Sequence, residues 1–244
     1  MEGRSQLKVL EKQTLLALGD SEYNEIELQE AGYKNTGVLP IVLDPSNYKH
    51  TPDPLVLAKY GDKRPTLLFL GRLAPNKRQE DLIKLLLYYQ RIEPNARLLL
   101  VGSGFLGNYA DWLREFASIL NLAESVIFTG HVSQAEMVAY YMVADLYVSM
   151  SEHEGFGKPL IESMYFDLPV LAYDSTAVPH TMGEAGVLFR YKHYEALAEV
   201  ANILISDGEL RQKIVQGQKR RVQEFLEPRV KERWIQYLET LHLL

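Results

Sequence analysis

Thr66-Leu67-Leu68-Phe69-Leu70-Gly71-Arg72-Leu73-Ala74-Pro75-Asn76-Lys77 opens the part of the chain whose reading decides the fold. A short apolar run ends at a glycine and a polar turn follows. Residues 78–91 then repeat apolar side chains at helical spacing, with Leu82, Ile83, Leu86 and Leu87 on one face. This is a buried strand, a loop and an amphipathic helix, and the unit recurs. Arg97–Val101 reads as a second strand closed by Gly102-Ser103-Gly104, with a helix over 107–121. Val126–Thr129 is a third strand. Ser133 with Glu136 three residues later has the capping-box pattern that satisfies free amides at a helix start. Leu146–Ser149, Leu168–Ala172 and Gly186–Phe189 supply three more strands. Strands separated by helices pair in parallel through right-handed crossovers, and strands that are apolar throughout are covered on both faces. The expected fold is α/β, a doubly wound parallel sheet with helices on both faces. Ligands of such sheets bind beyond the carboxyl ends of the strands, so the loops at Gly71, Gly102, Gly130 and Ser149 should share the functional edge.

The first sixty residues do not continue this pattern. Leu15–Leu18 reads as a strand, Ser21–Ala31 as a helix and Val38–Leu43 as another strand. Asp44 to Pro54 then holds three prolines among polar residues, which reads as a linker. Two strands and one helix cannot bury a core of their own. The expected division is therefore a remnant of a preceding domain over 1–44, a linker over 45–64, the main domain over 65–227 and a carboxyl-terminal helix over 228–244. Leu15, Leu16, Leu18, Val38, Ile41 and Val42 expect a neighbouring sheet, and their exposure implies self-association or docking. In the last helix Val230, Trp234, Tyr237, Leu238 and Leu241 form an apolar stripe.

Composition narrows the function classes. Lys and Arg number 26 against 32 Asp and Glu, a net charge of −6, which argues against nucleic acid as the main partner but leaves room for a local basic pocket. The absence of cysteine removes disulfide scaffolds and thiolate metal sites, and suits a reducing cytoplasm. Met1-Glu2-Gly3-Arg4 carries no apolar stretch of the signal-peptide kind, and no apolar run nears the roughly 20 residues of a membrane span.

Four stretches on the expected functional edge carry candidate chemistry. Glu154-Gly155-Phe156-Gly157-Lys158-Pro159-Leu160-Ile161-Glu162 places two glutamates around a glycine loop and a proline. Glycines let backbone approach a ligand, proline suits the first turn of a helix, and a helix start offers free amides and partial positive charge to a phosphate. The carboxylates can accept hydrogen bonds from sugar or ribose hydroxyls. On spacing alone the plainer reading prevails: Glu162 complements the helix dipole and Glu154 is solvated. Arg72 and Lys77, five apart after the first strand, offer a planar fork and a point charge to a diphosphate, or form a solvated basic turn. Gly102, Ser103 and Gly104 can let a base or ribose lie against backbone. At His131-Val132, backbone recognition near Val132 is preferred over a chemical role for the imidazole.

In this order, each at the end of an expected strand, Gly71–Lys77, Val101–Gly104, Phe128–Val132 and Glu154–Glu162 resemble the donor site of family 4 (group 1) glycosyltransferases of the GT-B fold. The similarity continues through Met182 to Phe189, and upstream through Leu18–Ser21 and Val38-Leu39-Pro40-Ile41. The resemblance implies a retaining transfer of sugar from a nucleotide sugar, such as a UDP- or GDP-sugar, to a glycan, lipid-linked or small-molecule acceptor. It implies the carboxyl-terminal donor half of the enzyme, no cofactor and no obligatory metal. The site is expected in the cytoplasm or at the membrane surface, with membrane contact through the missing acceptor domain. Arg72 and Lys77 match the pair that holds the diphosphate. Glu154 matches the glutamate near the transferred sugar and is the candidate catalytic residue, and Glu162 matches the ribose-binding glutamate. Gly155, Phe156 and Gly157 match the loop whose amides approach sugar and phosphate, with Pro159 and Leu160 where the helix start faces the diphosphate. The last helix is implied to cross back to the amino-terminal domain, against the alternative that it packs on its own domain. Three departures stand out: Arg78 where the family often has glycine, the extra charge of Lys158, and His180 after Pro179 where glutamate is common. A nucleotide-sugar epimerase of the same fold and a non-catalytic binding module are the alternative readings.

Overall fold

The computed structural model describes residue 7, residues 9–104 and residues 108–243. The expectations for residues 1–4, for position 107 of the second helix and for residue 244 fall outside the described residues. Two strands come first, β1 (Ala17–Gly19) and β2 (Thr36–Val38), paired in parallel around helix α1 (Glu22–Glu30). Six more form the main sheet: β3 (Thr66–Leu70), β4 (Arg97–Val101), β5 (Val126–Gly130), β6 (Leu146–Ser149), β7 (Val170–Tyr173) and β8 (Val187–Phe189). Their order is β5-β4-β3-β6-β7-β8, and every pair is parallel. The helices between and after them are α2 (Pro54–Tyr60), α3 (Gln79–Tyr89), α4 (Tyr109–Ile119), α5 (Gln134–Val143), α6 (Lys158–Tyr165), α7 (Val178–Met182), α8 (Tyr194–Ser206), α9 (Gly208–Val222) and α10 (Glu227–Thr240).

Strand side chains alternate between faces, and here both faces are dry. Leu67, Phe69, Leu98, Leu100, Leu146, Val148 and Leu171 join one core with α3, α4 and α8 residues such as Leu82, Leu113 and Leu197. Leu68, Leu99, Val101, Tyr147, Val170 and Ala172 join the other with α5 and α6 residues such as Tyr141 and Ile161. The expected doubly wound sheet is therefore present. From β3 the chain runs to β4 and β5 on one side, then returns past β3 to β6, β7 and β8 on the other. The order reverses between β3 and β6, and the crevice at their carboxyl ends is where such sheets place a ligand.

The stretch expected to be a linker, 45–64, is instead packed structure. Pro45–Tyr48 is a 3-10 turn and Pro54–Tyr60 is α2; Tyr48, Val56 and Tyr60 are buried in the α5–α6 core. Of the three prolines that suggested a linker, Pro45 and Pro54 start these turns. Each follows an aspartate cap, and Asp53 Oδ1 accepts from the amides of Leu55 and Val56, both at 2.9 Å. The expected strand over Val38–Leu43 is also shorter and earlier, at Thr36–Val38, because Pro40 has no N–H to continue a ladder. Leu15, Ile41 and Val42 are exposed, as expected of them, while Leu16, Leu18 and Val38 are half-buried. The last helix reaches the first strands: the Val38 amide donates to Tyr237 Oη at 3.0 Å, and the Tyr237 hydroxyl donates to the Val38 carbonyl at 3.3 Å.

Seven tyrosines packed against the two faces of the domain, Tyr48, Tyr89, Tyr109, Tyr140, Tyr141, Tyr147 and Tyr194, have hydroxyls pushed above their ordinary value chiefly by burial, Tyr140 to about 12. An unfolded tyrosine loses its proton near pH 10, so above that pH the unfolded chain binds fewer protons than the folded one. Stability from these groups is full below about pH 10 and falls above it. Urea midpoints are expected to drop steeply between about pH 10 and 11; a flat profile there contradicts the burial of these hydroxyls.

Candidate functional site

The loops at the carboxyl edge are stitched together through their backbones. The Gly71 amide donates to the Val101 carbonyl at 2.9 Å, Leu73 N to Ser103 O at 3.0 Å, and Gly102 N to Gly130 O at 3.1 Å. Gly102 has φ 137°, and a Cβ there would stand 2.1 Å from the Gly71 carbonyl oxygen. Only glycine fits this crossing of two backbones. Gly71, Gly102, Ser103 and Gly104 thus lie together on one edge, with Ser103, Gly104 and the side chain of His131 exposed.

The second half of the site follows β6. Gly157, at φ 82°, caps α6, and Pro159 sits in its first turn. Phe156 is buried with its ring on Phe225, centroids 5.5 Å apart, and Leu160 is buried beneath the loop. Both therefore offer a ligand backbone rather than side chain.

The two halves meet across the switch point. Glu152 N donates to Asn76 O at 2.9 Å. Lys77 Nζ lies 2.7 Å from Glu154 Oε2, with both side chains 16% exposed, and donates to the His153 carbonyl at 3.3 Å. Arg72 projects from the same turn and is exposed, and the Arg72 carbonyl is held at 2.9 Å by Nε2 of the fully buried Gln79. Of the expected cations, Lys77 therefore lies beside the first glutamate, while Arg72 leaves the same loop and is exposed.

Glu162 lies deeper. It is 4% exposed; Oε1 accepts from Tyr48 Oη at 2.6 Å and Oε2 from Tyr141 Oη at 2.8 Å. Lys158 Nζ stands 3.3 Å from Oε1, so the extra charge noted beside the glycine loop is directed down the helix to Glu162. A carboxylate has about four acceptor sites, which leaves little of Glu162 to spare.

Thr176, Ser21, Asn24 and the partners of Arg78 and His180 escape sequence reasoning. Arg78, standing where the family often has glycine, has φ 54°, the left-handed backbone that glycine favours. Its guanidinium meets Glu80 at 3.0 Å, Asp81 at 3.2 Å and Glu152 at 3.3 Å. Asp81 is fully buried and also takes Lys192 at 2.9 Å and Tyr194 Oη at 2.8 Å. Burial alone would raise its carboxyl, but the bonds from Lys192 and Tyr194 outweigh this and hold it below its ordinary range. Arg78→Gly is expected to be about 1 kcal/mol more stable than Arg78→Ala, because glycine relieves the backbone while both lose the same ion pairs. Equal urea midpoints for the two contradict strain at this position.

Thr176 is also left-handed, at φ 43°, which is rare for a β-branched residue. Its hydroxyl accepts from Glu154 N and donates to Glu154 O, both at 2.9 Å. Such strain persists where surroundings over-determine it, often at functional sites. The polar run Asp174-Ser175-Thr176 after β7 is the sequence signal. Ser21 Oγ and Asn24 Nδ2 reach the Gly155 carbonyl at 3.0 and 2.8 Å, so the start of α1 lies against the glycine loop. His180 Nδ1 lies 2.9 Å from Glu22 of the same helix. Among the described residues, no group of three His, Asp or Glu side chains is placed to hold a metal ion, and no helix is long and apolar enough to cross a membrane.

Residues 58–221 of the 244 match the family described as glycosyl transferases group 1. The chain belongs to this family. The matched stretch contains every edge loop described above. Among curated relatives, this group 1 glycosyl transferase is 30% identical over 182 residues to the GDP-mannose-dependent alpha-(1-6)-phosphatidylinositol monomannoside mannosyltransferase of Mycobacterium tuberculosis, covering 68% of this chain and 46% of the relative. It is 27% identical over 151 residues to the alpha-monoglucosyldiacylglycerol synthase of Streptococcus pneumoniae, covering 61% of this chain and 33% of the relative. The chain thus spans less than half the length of these relatives. In fold it is similar to HepE of Anabaena, solved in complex with UDP and glucose, with a TM-score of 0.82 and 22% identity over 99% of this chain and 67% of that one.

Proposed function

We propose that the crevice between β3 and β6 is the donor site of a glycosyltransferase that moves sugar from a nucleotide sugar to an acceptor with retention of anomeric configuration. The observation that carries this is the meeting of Lys77 and Glu154 at 2.7 Å across the switch point, where one loop brings the cations for a diphosphate and the other a carboxylate for sugar hydroxyls. Arg72 and Lys77 neutralise the charge that develops on the leaving diphosphate, helped by the amides at the start of α6. Glu154 orients the transferred sugar and Glu162 lies on the ribose side. The likeness to enzymes named for GDP-mannose and to a structure containing UDP supports a UDP- or GDP-sugar as donor. The acceptor is a glycan, lipid-linked or small molecule that approaches past α1, whose Ser21 and Asn24 already touch the glycine loop. Residues 1–44 belong to the acceptor side of the enzyme, with membrane contact on that side when the acceptor is a lipid.

A thermal-shift panel of UDP- and GDP-sugars tests this. A ligand that binds only the folded state at 100 times its Kd adds about 2.7 kcal/mol, so at least one donor should raise the midpoint by several degrees. A panel without any shift contradicts the assignment.

A further inference from the structure

Lys77 is one of the two cations that the donor-site reading gives to the diphosphate, and it already has an anionic partner. Glu154 Oε2 lies 2.7 Å from its ammonium. The pair is not a chance meeting of surface side chains. The Glu154 backbone is fixed by Thr176 through two 2.9 Å bonds, and its carbonyl also accepts from Ala177 N at 3.3 Å. On the other side, Lys77 stands in a turn tied to the Glu154 loop by the 2.9 Å bond from Glu152 N to Asn76 O. Arg78 bridges the same loops through Glu152 at 3.3 Å. The fold therefore holds this carboxylate where a diphosphate would draw on Lys77.

We propose that Glu154 favours the nucleotide sugar over the nucleoside diphosphate by competing with the diphosphate for Lys77. This deepens the donor-site reading and rests on it. A nucleoside diphosphate brings a terminal phosphate with a second ionisable oxygen and no sugar hydroxyls. To use Lys77 it must take the ammonium from Glu154 and leave that carboxylate facing a phosphate. Like charges repel at close range, and here Lys77 and Glu154 are each only 16% exposed, so water screens them less than at an open surface. In a nucleotide sugar that terminal oxygen is esterified, so one negative charge is gone. Its sugar hydroxyls donate to the carboxylate that Lys77 has released. The donor thus repairs the pair it breaks, and the product does not. Once the sugar has left, the returning Lys77–Glu154 pair helps to expel the diphosphate.

The test is titration calorimetry of UDP, GDP and their sugar nucleotides on the 244-residue chain, on E154Q and E154A, and on each combined with K77A. Both Glu154 variants should bind the nucleoside diphosphate about fivefold tighter, the scale of one partly exposed ion pair. The gain should shrink at high salt and be smaller in the K77A background, where only the repulsion between Glu154 and the phosphate is left to relieve. Affinity for the matching nucleotide sugar should stay the same or fall. If the parent binds a nucleoside diphosphate and both Glu154 variants bind it no tighter, or if the gain is undiminished without Lys77, the competition does not exist. If the parent binds none of these ligands, the donor-site reading fails and takes this inference with it.

Discussion

Lys77→Ala and Arg72→Ala are each expected to weaken nucleoside-diphosphate binding by about 1.5–3 kcal/mol, roughly 10- to 150-fold, the worth of a hydrogen bond to a charged group. Lys77 should cost the more. Its removal takes a positive charge from the diphosphate and also leaves Glu154, 16% exposed, without the ammonium 2.7 Å away. The two cations leave the sheet in one turn after β3, and that turn is backed by the Gln79–Arg72 bond and the backbone links from Gly71 to Val101 and Leu73 to Ser103. Truncating either side chain therefore leaves the loop frame in place. Calorimetric titration of UDP and GDP reads the effect directly. Affinities equal to the parent in both variants contradict the clamp.

Glu162→Ala is expected to lower folding stability by about 3 kcal/mol, two charge-assisted hydrogen bonds at about 1.5 kcal/mol each. The carboxylate is the acceptor for both Tyr48 and Tyr141, and all three groups are buried. Alanine leaves two buried hydroxyls without it. Tyr48→Phe should cost about half as much, since it removes one donor and strands none. Urea unfolding with unchanged slope measures both, and an alanine variant as stable as the parent contradicts the arrangement. Ligand binding separates the second role of the residue. Glu162→Gln should weaken nucleoside diphosphates more than pyrophosphate if the carboxylate also meets the ribose; equal losses confine it to holding the fold.

Much of the fold is legible in the sequence because both faces of the sheet are dry. Leu67 to Phe69, Leu98 to Val101 and Leu146 to Val148 are unbroken apolar runs only because alternate side chains enter two different cores. The edge loops follow from that pattern, since a strand's carboxyl end is fixed once the strand is found. What sequence reading misses lies where one residue type serves two purposes. Pro45 and Pro54 start helical turns rather than a linker, and so Tyr48, the partner of Glu162, was hidden in a stretch that composition marks as loose. Glu162 itself reads as a ligand residue or a dipole partner, and spacing says nothing of the tyrosines that surround it. Arg78 and Thr176 have left-handed backbone that is expected of glycine, and only indirect signals point to it: the family's usual glycine at the first and the polar run Asp174-Ser175-Thr176 at the second. The last helix shows the same limit. Its apolar stripe is plain, but only the Tyr237–Val38 bonds show that it reaches the first strands.

The proposed donor lies across the loops after β3 and β6. Backbone hydrogen exchange with and without a saturating UDP- or GDP-sugar tests it most directly, because exchange reports local opening segment by segment. Slowed exchange is expected in residues 71–78 and 152–160, with a smaller effect at 102–104 and 130–132. A donor that leaves these loops unchanged and protects another surface would contradict it. The open groove between α5 and α9, lined by Tyr141, Phe166, Arg211 and Lys219, is the place to look for that result.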